Sequence, residues 1–125
     1  MDTHHHLIVE VADGVLPVGM HSLNLGYARD FNRRYGLRGH VQFRRYGSTR
    51  IRNDEQLLTV FRYVMRNAVK ANRCSAPQDW PSSSYAGTVG LAEPHSFVDA
   101  MKVLACFDGS VEFRTARLRA FVEGT

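Results

Sequence analysis

Two histidines separated by one residue, His4 and His6, stand near the start of the chain and run directly into an apolar stretch at 7–9. In an extended strand, side chains at positions i and i+2 lie on the same face. The two imidazoles would therefore point the same way, close enough to bind one cation, while His5 points to the other side. Imidazole pairs bind zinc or copper, and less tightly magnesium or manganese, so the spacing indicates a metal site. The alternatives are a solvated, frayed terminus or the remnant of a purification tag.

A second group of chemically useful residues lies on a predicted helix that begins at residue 53 or 54. Tyr63, Arg66, Asn67 and Lys70 follow one another at i, i+3, i+4 and i+7, which places them on one helical face, away from an apolar stripe. A tyrosine hydroxyl can attack a phosphodiester, and the side-chain oxygen of Asn67 could complete a cation site with the two histidines. The alternative for Tyr63 is ordinary packing of the ring with its hydroxyl at the surface.

The charge of the chain is concentrated in one segment. Between positions 29 and 73 there are 12 basic and 3 acidic residues, so this segment carries +9 while the whole chain carries +4. Arginine dominates the segment, and its planar guanidinium suits phosphate oxygens better than the ammonium of lysine does. The segment predicts a polyanionic partner. The alternative is a solvated basic face on an ordinary protein.

Periodicity predicts further helices and a small amount of strand. Apolar residues at helical spacing predict a helix that ends at Gly36, with Arg33 and Arg34 in its last turn. Short β-type segments at 41–43 and 49–52 predict a hairpin. Two short helices separated by Asp108 and Gly109 are predicted near the C-terminus. The apolar residues of the first helix are Met20, Leu23, Tyr27 and Phe31.

Composition bounds the class of protein. The chain has 125 residues, of which 44% are hydrophobic, as expected of one small soluble domain. No apolar run is long enough for a membrane span, and no secretory signal is recognised. Two cysteines, Cys74 and Cys106, are too few for a disulfide framework, so we expect inert thiols in a reducing cytoplasm.

Four stretches together resemble one family of DNA-processing enzymes. Residues 1–10 contain a histidine–x–histidine motif, and residues 27–34 (YARDFNRR) are followed by Gly39-His40 and Arg45-Tyr46. Residues 62–71 (RYVMRNAVKA) and 79–85 (DWPSSSY) complete the set. These stretches resemble the single-tyrosine HUH transposases of the insertion-sequence-200-like group, most closely the REP-associated tyrosine transposases, over roughly residues 1–90. The chain departs from that family where it has Ala68 in place of proline and Ser82 in place of tryptophan.

The resemblance implies a fold and a reaction. The fold would be α+β, a partial ferredoxin-like HUH nuclease domain with a small antiparallel sheet at 1–90, lacking its first strand and helix, followed by a helical C-terminal extension at 91–125. His4, His6 and Asn67 would hold Mg²⁺ or Mn²⁺. Tyr63 would form a 5′-phosphotyrosine bond while single-stranded DNA is cut and rejoined at hairpin-forming repeats. The residues expected to contact the DNA backbone are Arg33, Arg34, Arg44, Arg45, Arg66 and Lys70, with His40 and Tyr46 stacking on unpaired bases.

Two other functions are compatible with the sequence. One is a catalytically inactive relative that still binds DNA. The other is a small zinc protein that uses His4, His6 and His95 and is indifferent to DNA. A homodimer is also possible, since the truncated HUH domain lacks its first strand and would leave an edge of its sheet unpaired. No membrane partner is expected, and a DNA-binding function would place the protein in the bacterial cytoplasm at the nucleoid.

Overall fold

The computed structural model describes residues 4–41 and 44–124. Their regular structure is helical, and they form two compact units, one made of 8–41 and 44–50, the other of 4–7 and 51–124. The sequence predicts a boundary between residues 90 and 91, and the second unit contains helices on both sides of this position. The helices are α1 (Leu16–Tyr35), α2 (Asp54–Met65), α3 (Asn67–Lys70), α4 (Tyr85–Thr88), α5 (Ala100–Leu104) and α6 (Val111–Glu123), with a 3₁₀ turn at Pro77–Asp79.

The predicted α+β, ferredoxin-like fold with an antiparallel sheet is wrong, because none of the described residues forms a strand. Residues 4–12 and 45–52 have no regular structure, and residues 42 and 43 of the predicted hairpin lie outside the described residues. Leu7, Val9 and Val11 alternate as in a half-buried strand, yet about half of each side chain is exposed. Alternation shows that a segment can join a sheet, but a strand forms only when another segment pairs with it.

Helix α1 has clear local signals at both ends. Pro17 stands in its first turn, where a missing N–H costs nothing. Gly36 ends the helix in the left-handed conformation, with φ 63°, and its N–H donates to the carbonyl of Asn32. The predicted end of the first helix is therefore confirmed. None of the side chains of α1 is buried, and the rings of Tyr27, Phe31 and Tyr35 contact one another along the exposed surface.

Helix α2 begins where the sequence predicts. The side chain of Asn53 accepts a hydrogen bond from the N–H of Gln56 at 2.8 Å, and the side chain of Gln56 accepts from the N–H of Arg52 at 2.8 Å. The first of these bonds satisfies a donor that the first helical turn leaves without a partner, and the second fixes the residue before the N-cap. Asp54 and Glu55 lie at the positive end of the helix dipole. The predicted start of this helix at residue 53 or 54 is confirmed.

The core of the second unit forms where α2, α5 and α6 pack together. Each helix contributes two buried apolar side chains at spacings of one or four residues, and Leu118 and Val122 of α6 are fully buried. The two predicted C-terminal helices are thus confirmed as α5 and α6. No helix among the described residues is both long and apolar enough to cross a bilayer. The buried side chains of these helices are Phe61, Met65, Val103, Leu104, Leu118 and Val122.

A polar network joins α4 to the end of α6. The fully buried ring of Tyr85 places its hydroxyl where it donates to Oε1 of Glu123 at 2.9 Å. Nε of Arg119, one turn earlier in α6, donates to the same oxygen at 3.1 Å. The hydrogen bonds from Arg119 and Tyr85 hold the pKa of Glu123 below its usual value, while burial raises the pKa of the Tyr85 hydroxyl.

We expect Glu123→Gln to lower the free energy of unfolding at pH 7. Because the pKa of Glu123 is lower in the folded than in the unfolded chain, its stabilising effect is complete above its ordinary pKa of 4.5 and is lost as the pH falls through the lowered value. Urea unfolding at pH 7, 5, 4 and 3 measures this effect. The difference between the variant and the parent should disappear at the acid end. Glu93→Gln, which lies outside the network, is the control, and an equal effect of both substitutions would contradict the assignment.

Candidate functional site

The histidines of the motif contact each other although they do not lie in a strand. The ring centroids of His4 and His6 are 5.2 Å apart, with the rings edge to face. Both side chains are exposed. The i, i+2 spacing therefore places two imidazoles side by side, as the sequence predicts, on a segment that has no regular secondary structure.

Tyr63 and Asn67 lie against this pair. The ring of Tyr63 contacts the ring of His6 with centroids 5.7 Å apart, and Nδ2 of Asn67 lies 3.2 Å from Nε2 of His6. Tyr63 is 48% exposed, so its side chain is accessible from solvent. The structure thus brings together the four residues proposed from the sequence as nucleophile and metal ligands. We refer to His4, His6, Tyr63 and Asn67 as the His–Tyr cluster.

The helical backbone breaks inside this group of residues. Helix α2 ends at Met65, and Arg66, with φ −88° and ψ 0°, separates it from α3, which begins at Asn67. Lys70 keeps its predicted place near the tyrosine, with Nζ 5.0 Å from the centroid of the Tyr63 ring. An ammonium over the face of an aromatic ring is an attractive arrangement. Of the four residues predicted to share one helical face, Tyr63, Asn67 and Lys70 therefore lie close together.

Arg66 is the member whose contacts lie elsewhere. Its Nη1 donates to the carbonyl oxygens of Val122 at 2.9 Å and of Gly124 at 3.2 Å, at the C-terminal end of α6. Arg62 makes a similar bond, from Nη2 to the carbonyl of Gly124 at 2.6 Å. Sequence reasoning assigned Arg66 to DNA and did not single out Arg62. These contacts join residues about 60 positions apart, and no local pattern signals them.

The other predicted DNA contacts belong to the unit formed by residues 8–50. Arg33 forms an exposed ion pair with Asp30 at 3.0 Å, one turn earlier in α1. Such a pair contributes little to stability, so Arg33 can exchange this partner for a phosphate. The remaining predicted side chains of this unit, which are exposed, are Arg34, Arg44, Arg45, His40 and Tyr46.

The donor set of the His–Tyr cluster fits a cation that accepts nitrogen and oxygen ligands. Partial burial, followed by repulsion from His4 and His5, lowers the pKa of His6, which favours the neutral ring that a metal requires. Rotating the amide of Asn67 by half a turn exchanges Nδ2 for the oxygen that would face the cation. Within residues 4–41 and 44–124, no three or more His, Cys, Asp or Glu side chains form a potential metal site. The fit therefore depends on two imidazoles and one amide.

The remaining candidate groups lie apart from this chemistry. His95, the third ligand of the zinc alternative, stacks on Phe97 with ring centroids 5.2 Å apart. Cys74 and Cys106 carry free thiols, and burial raises the pKa of each. A raised pKa keeps a thiol protonated and weakly nucleophilic. In contrast to these three side chains, the exposed phenol of Tyr63 lies beside the histidine pair.

Comparison with protein-family models, with curated proteins and with solved structures found no match. The geometry of the His–Tyr cluster and the charge of the chain are therefore the features that bear on function. Both are properties of the residues themselves.

Proposed function

We propose that the protein cuts and rejoins single-stranded DNA through a covalent bond to Tyr63, as a transposase acting at hairpin-forming repeats. The observation that carries this proposal is the convergence of the His–Tyr cluster. Asn67 and His6 are 61 positions apart in the sequence, yet their side chains are within hydrogen-bonding distance, and Tyr63 contacts the same imidazole. A phenol beside a set of metal-binding donors has the composition that phosphodiester cleavage requires.

The reaction balances without an oxidant or a reductant. Oη of Tyr63 attacks the phosphorus atom, a new O–P bond forms, and the bond from phosphorus to the 3′ oxygen of the upstream nucleotide breaks. The phenolic proton passes to solvent, and the departing 3′ oxygen takes up a proton from solvent. One phosphodiester replaces another, so a 3′ hydroxyl can reverse the step and join a new strand. The ammonium of Lys70, 5.0 Å from the ring, is placed to attract the phosphate to the phenol.

His4, His6 and the side-chain oxygen of Asn67 would hold the cation, Mn²⁺ or Mg²⁺. When bound, such a cation polarises a phosphate oxygen and stabilises the charge that develops on it. Imidazole ligands favour Mn²⁺ over Mg²⁺, which prefers a shell of oxygen atoms. The chain's own part is to keep His6 neutral through its lowered pKa and to orient the amide of Asn67 against it.

The decisive experiment is covalent capture of a hairpin oligonucleotide that has a single-stranded flank. Because the tyrosine would take the 5′ phosphate, a dye on the 3′ end should stay with the protein through denaturing electrophoresis, and a dye on the 5′ end should be released. Capture should require Mn²⁺ or Mg²⁺ and disappear with EDTA or in His6→Ala. Tight DNA binding without capture would leave the inactive DNA-binding alternative. Tight Zn²⁺ binding without DNA binding would leave the zinc alternative.

Electrostatic binding of the strand should depend strongly on salt. The exposed arginines of the basic segment would displace counterions from the DNA, and each phosphate contact contributes about 0.7 to the slope of log affinity against log salt for a single strand. We expect Arg44→Ala and Arg45→Ala each to reduce that slope by about 0.7. Arg117→Ala, in the acidic remainder of the chain, is the control. Fluorescence anisotropy at salt concentrations of roughly 50 to 300 mM measures this slope for the parent chain and each variant.

DNA binding of this kind would associate the protein with the bacterial nucleoid in the cytoplasm. We also propose self-association into a homodimer, supported by the exposed alternation of Leu7, Val9 and Val11 on a segment that forms no strand with any other described residue. Size-exclusion chromatography with light scattering, with and without DNA, determines the oligomeric state.

A further inference from the structure

The C-terminal turn of α6 is tied to α2 by two arginines. The last carbonyls of a helix have no partner within the helix and carry partial negative charge. Arg62 and Arg66 supply donors to them: Nη2 of Arg62 reaches Gly124, and Nη1 of Arg66 reaches Val122, Gly124 and, at 3.4 Å, Glu123. The guanidinium of Arg62 also lies 5.6 Å from the centroid of the Phe121 ring.

The part of α6 that receives these bonds is itself fixed. Val122 is fully buried in the core, as is Leu118 one turn earlier. The carboxylate of the next residue, Glu123, accepts hydrogen bonds from Tyr85 and Arg119. Of the residues whose carbonyls Arg66 contacts, Val122 is therefore held by packing and Glu123 by a polar network, so this turn provides a fixed point for the guanidinium.

Arg66 occupies the point where the backbone breaks between the two functional groups. Arg66 is both the C-cap of α2 and the N-cap of α3. Tyr63 lies three residues before it, and Asn67 follows it directly. Because residues 63–65 and 67–70 are helical, the backbone angles of Arg66 set the direction of α3 relative to α2 and so contribute to the relative position of the phenol and the amide. We propose that the C-terminal turn of α6, through Arg66, positions Tyr63 and Asn67 for the reaction, an inference that rests on the proposed function. Arg66 is then a positioning residue rather than a phosphate contact.

The two roles of Arg66 predict different kinetics. If Arg66 positions the nucleophile, its loss should lower kcat for covalent capture by roughly ten- to hundredfold, while KM stays within about twofold. Displacing a reacting group by about 1 Å lowers the rate of a reaction by about this factor. If it binds phosphate, its loss should raise KM or Kd instead. Arg66→Met keeps the length of the side chain and removes the donors, and Arg66→Lys should restore part of the rate through a single donor.

Arg62→Met is the matched control, because Arg62 also donates to Gly124 but does not lie at the helix break. It should reduce stability to a similar degree and change kcat less than twofold. Unchanged kcat in Arg66→Met, or equal losses of kcat in both variants, would overturn the proposal. If circular dichroism shows that Arg66→Met does not fold, Arg66→Lys is compared with Arg62→Lys instead. A larger loss of kcat in Arg66→Lys would support positioning, and no loss or equal losses would overturn it.

A measurement that needs no reaction separates this inference from the proposed function. In nuclear magnetic resonance spectra, the side-chain amide of Asn67 and the ring of Tyr63 should both show proximity to the His6 ring in the parent chain. These signals should weaken in Arg66→Met and persist in Arg62→Met. If the parent chain captures no DNA, this comparison still tests positioning. Unaltered proximity in Arg66→Met would refute positioning even if capture succeeds.

Discussion

Replacing Tyr63 by phenylalanine is expected to abolish covalent capture of single-stranded DNA and to leave binding of that DNA intact. Phenylalanine keeps the ring that contacts His6 and Lys70 and removes only the hydroxyl that would attack phosphorus. Loss of the nucleophile should lower the rate by at least about a thousandfold. Binding should change by less than about twofold, because the ring, the ammonium and the basic segment are all retained.

The control for Tyr63→Phe is Tyr27→Phe on α1, which removes the hydroxyl of a tyrosine of similar exposure, 54% against 48%, outside the His–Tyr cluster. It should capture DNA at the parental rate. Denaturing electrophoresis with the 3′-labelled hairpin measures capture, and anisotropy measures binding. Capture by Tyr63→Phe at the parental rate would remove Tyr63 as nucleophile, and the catalytic proposal would fail with it.

The second large effect concerns the core that supports the cluster. Leu118→Ala should lower the free energy of unfolding by about 3 kcal/mol, because it removes a fully buried side chain and leaves a cavity between α6 and its neighbours. Val111→Ala, at an exposed position of the same helix, should change it by less than about 0.5 kcal/mol. Equilibrium unfolding in urea gives both values, provided that the free energy of unfolding falls with urea concentration at the same slope in each protein. Equal effects at the two positions would show that α6 is not packed as described.

The elements that the sequence predicts correctly are those set by neighbouring residues. Gly36 ends α1 because its own backbone adopts a left-handed conformation, and Asn53 starts α2 because its side chain reaches a backbone N–H three residues ahead. Both signals act within one helical turn. The residue types and spacing therefore identify them without any knowledge of tertiary structure.

The sheet was predicted wrongly because strand formation depends on distant segments. The alternation at Leu7, Val9 and Val11 indicates only that a neighbour could pair there, and no described segment does. The contact of His6 with Asn67 is equally distant in sequence. Local spacing identified the histidine pair and the polar helix face separately, and only the chemistry of a metal site and the resemblance to a family suggested that they meet. The contacts of Arg66 with the end of α6 were not predicted, because helical spacing was applied across a break in the helix.

Helix α1 differs from α2 and α6 in having no buried side chain. Fixing its 20 residues costs backbone entropy of about 1–2 kcal/mol each, and α1 has only half-buried apolar side chains, such as Met20 and Phe31, to offset this cost. Its stability comes from its backbone hydrogen bonds, the glycine cap at its end, the ring contacts along its surface and an exposed ion pair. We infer that α1 melts separately and at lower temperature than the rest of the chain, and that a ligand covering its aromatic surface would stiffen it most.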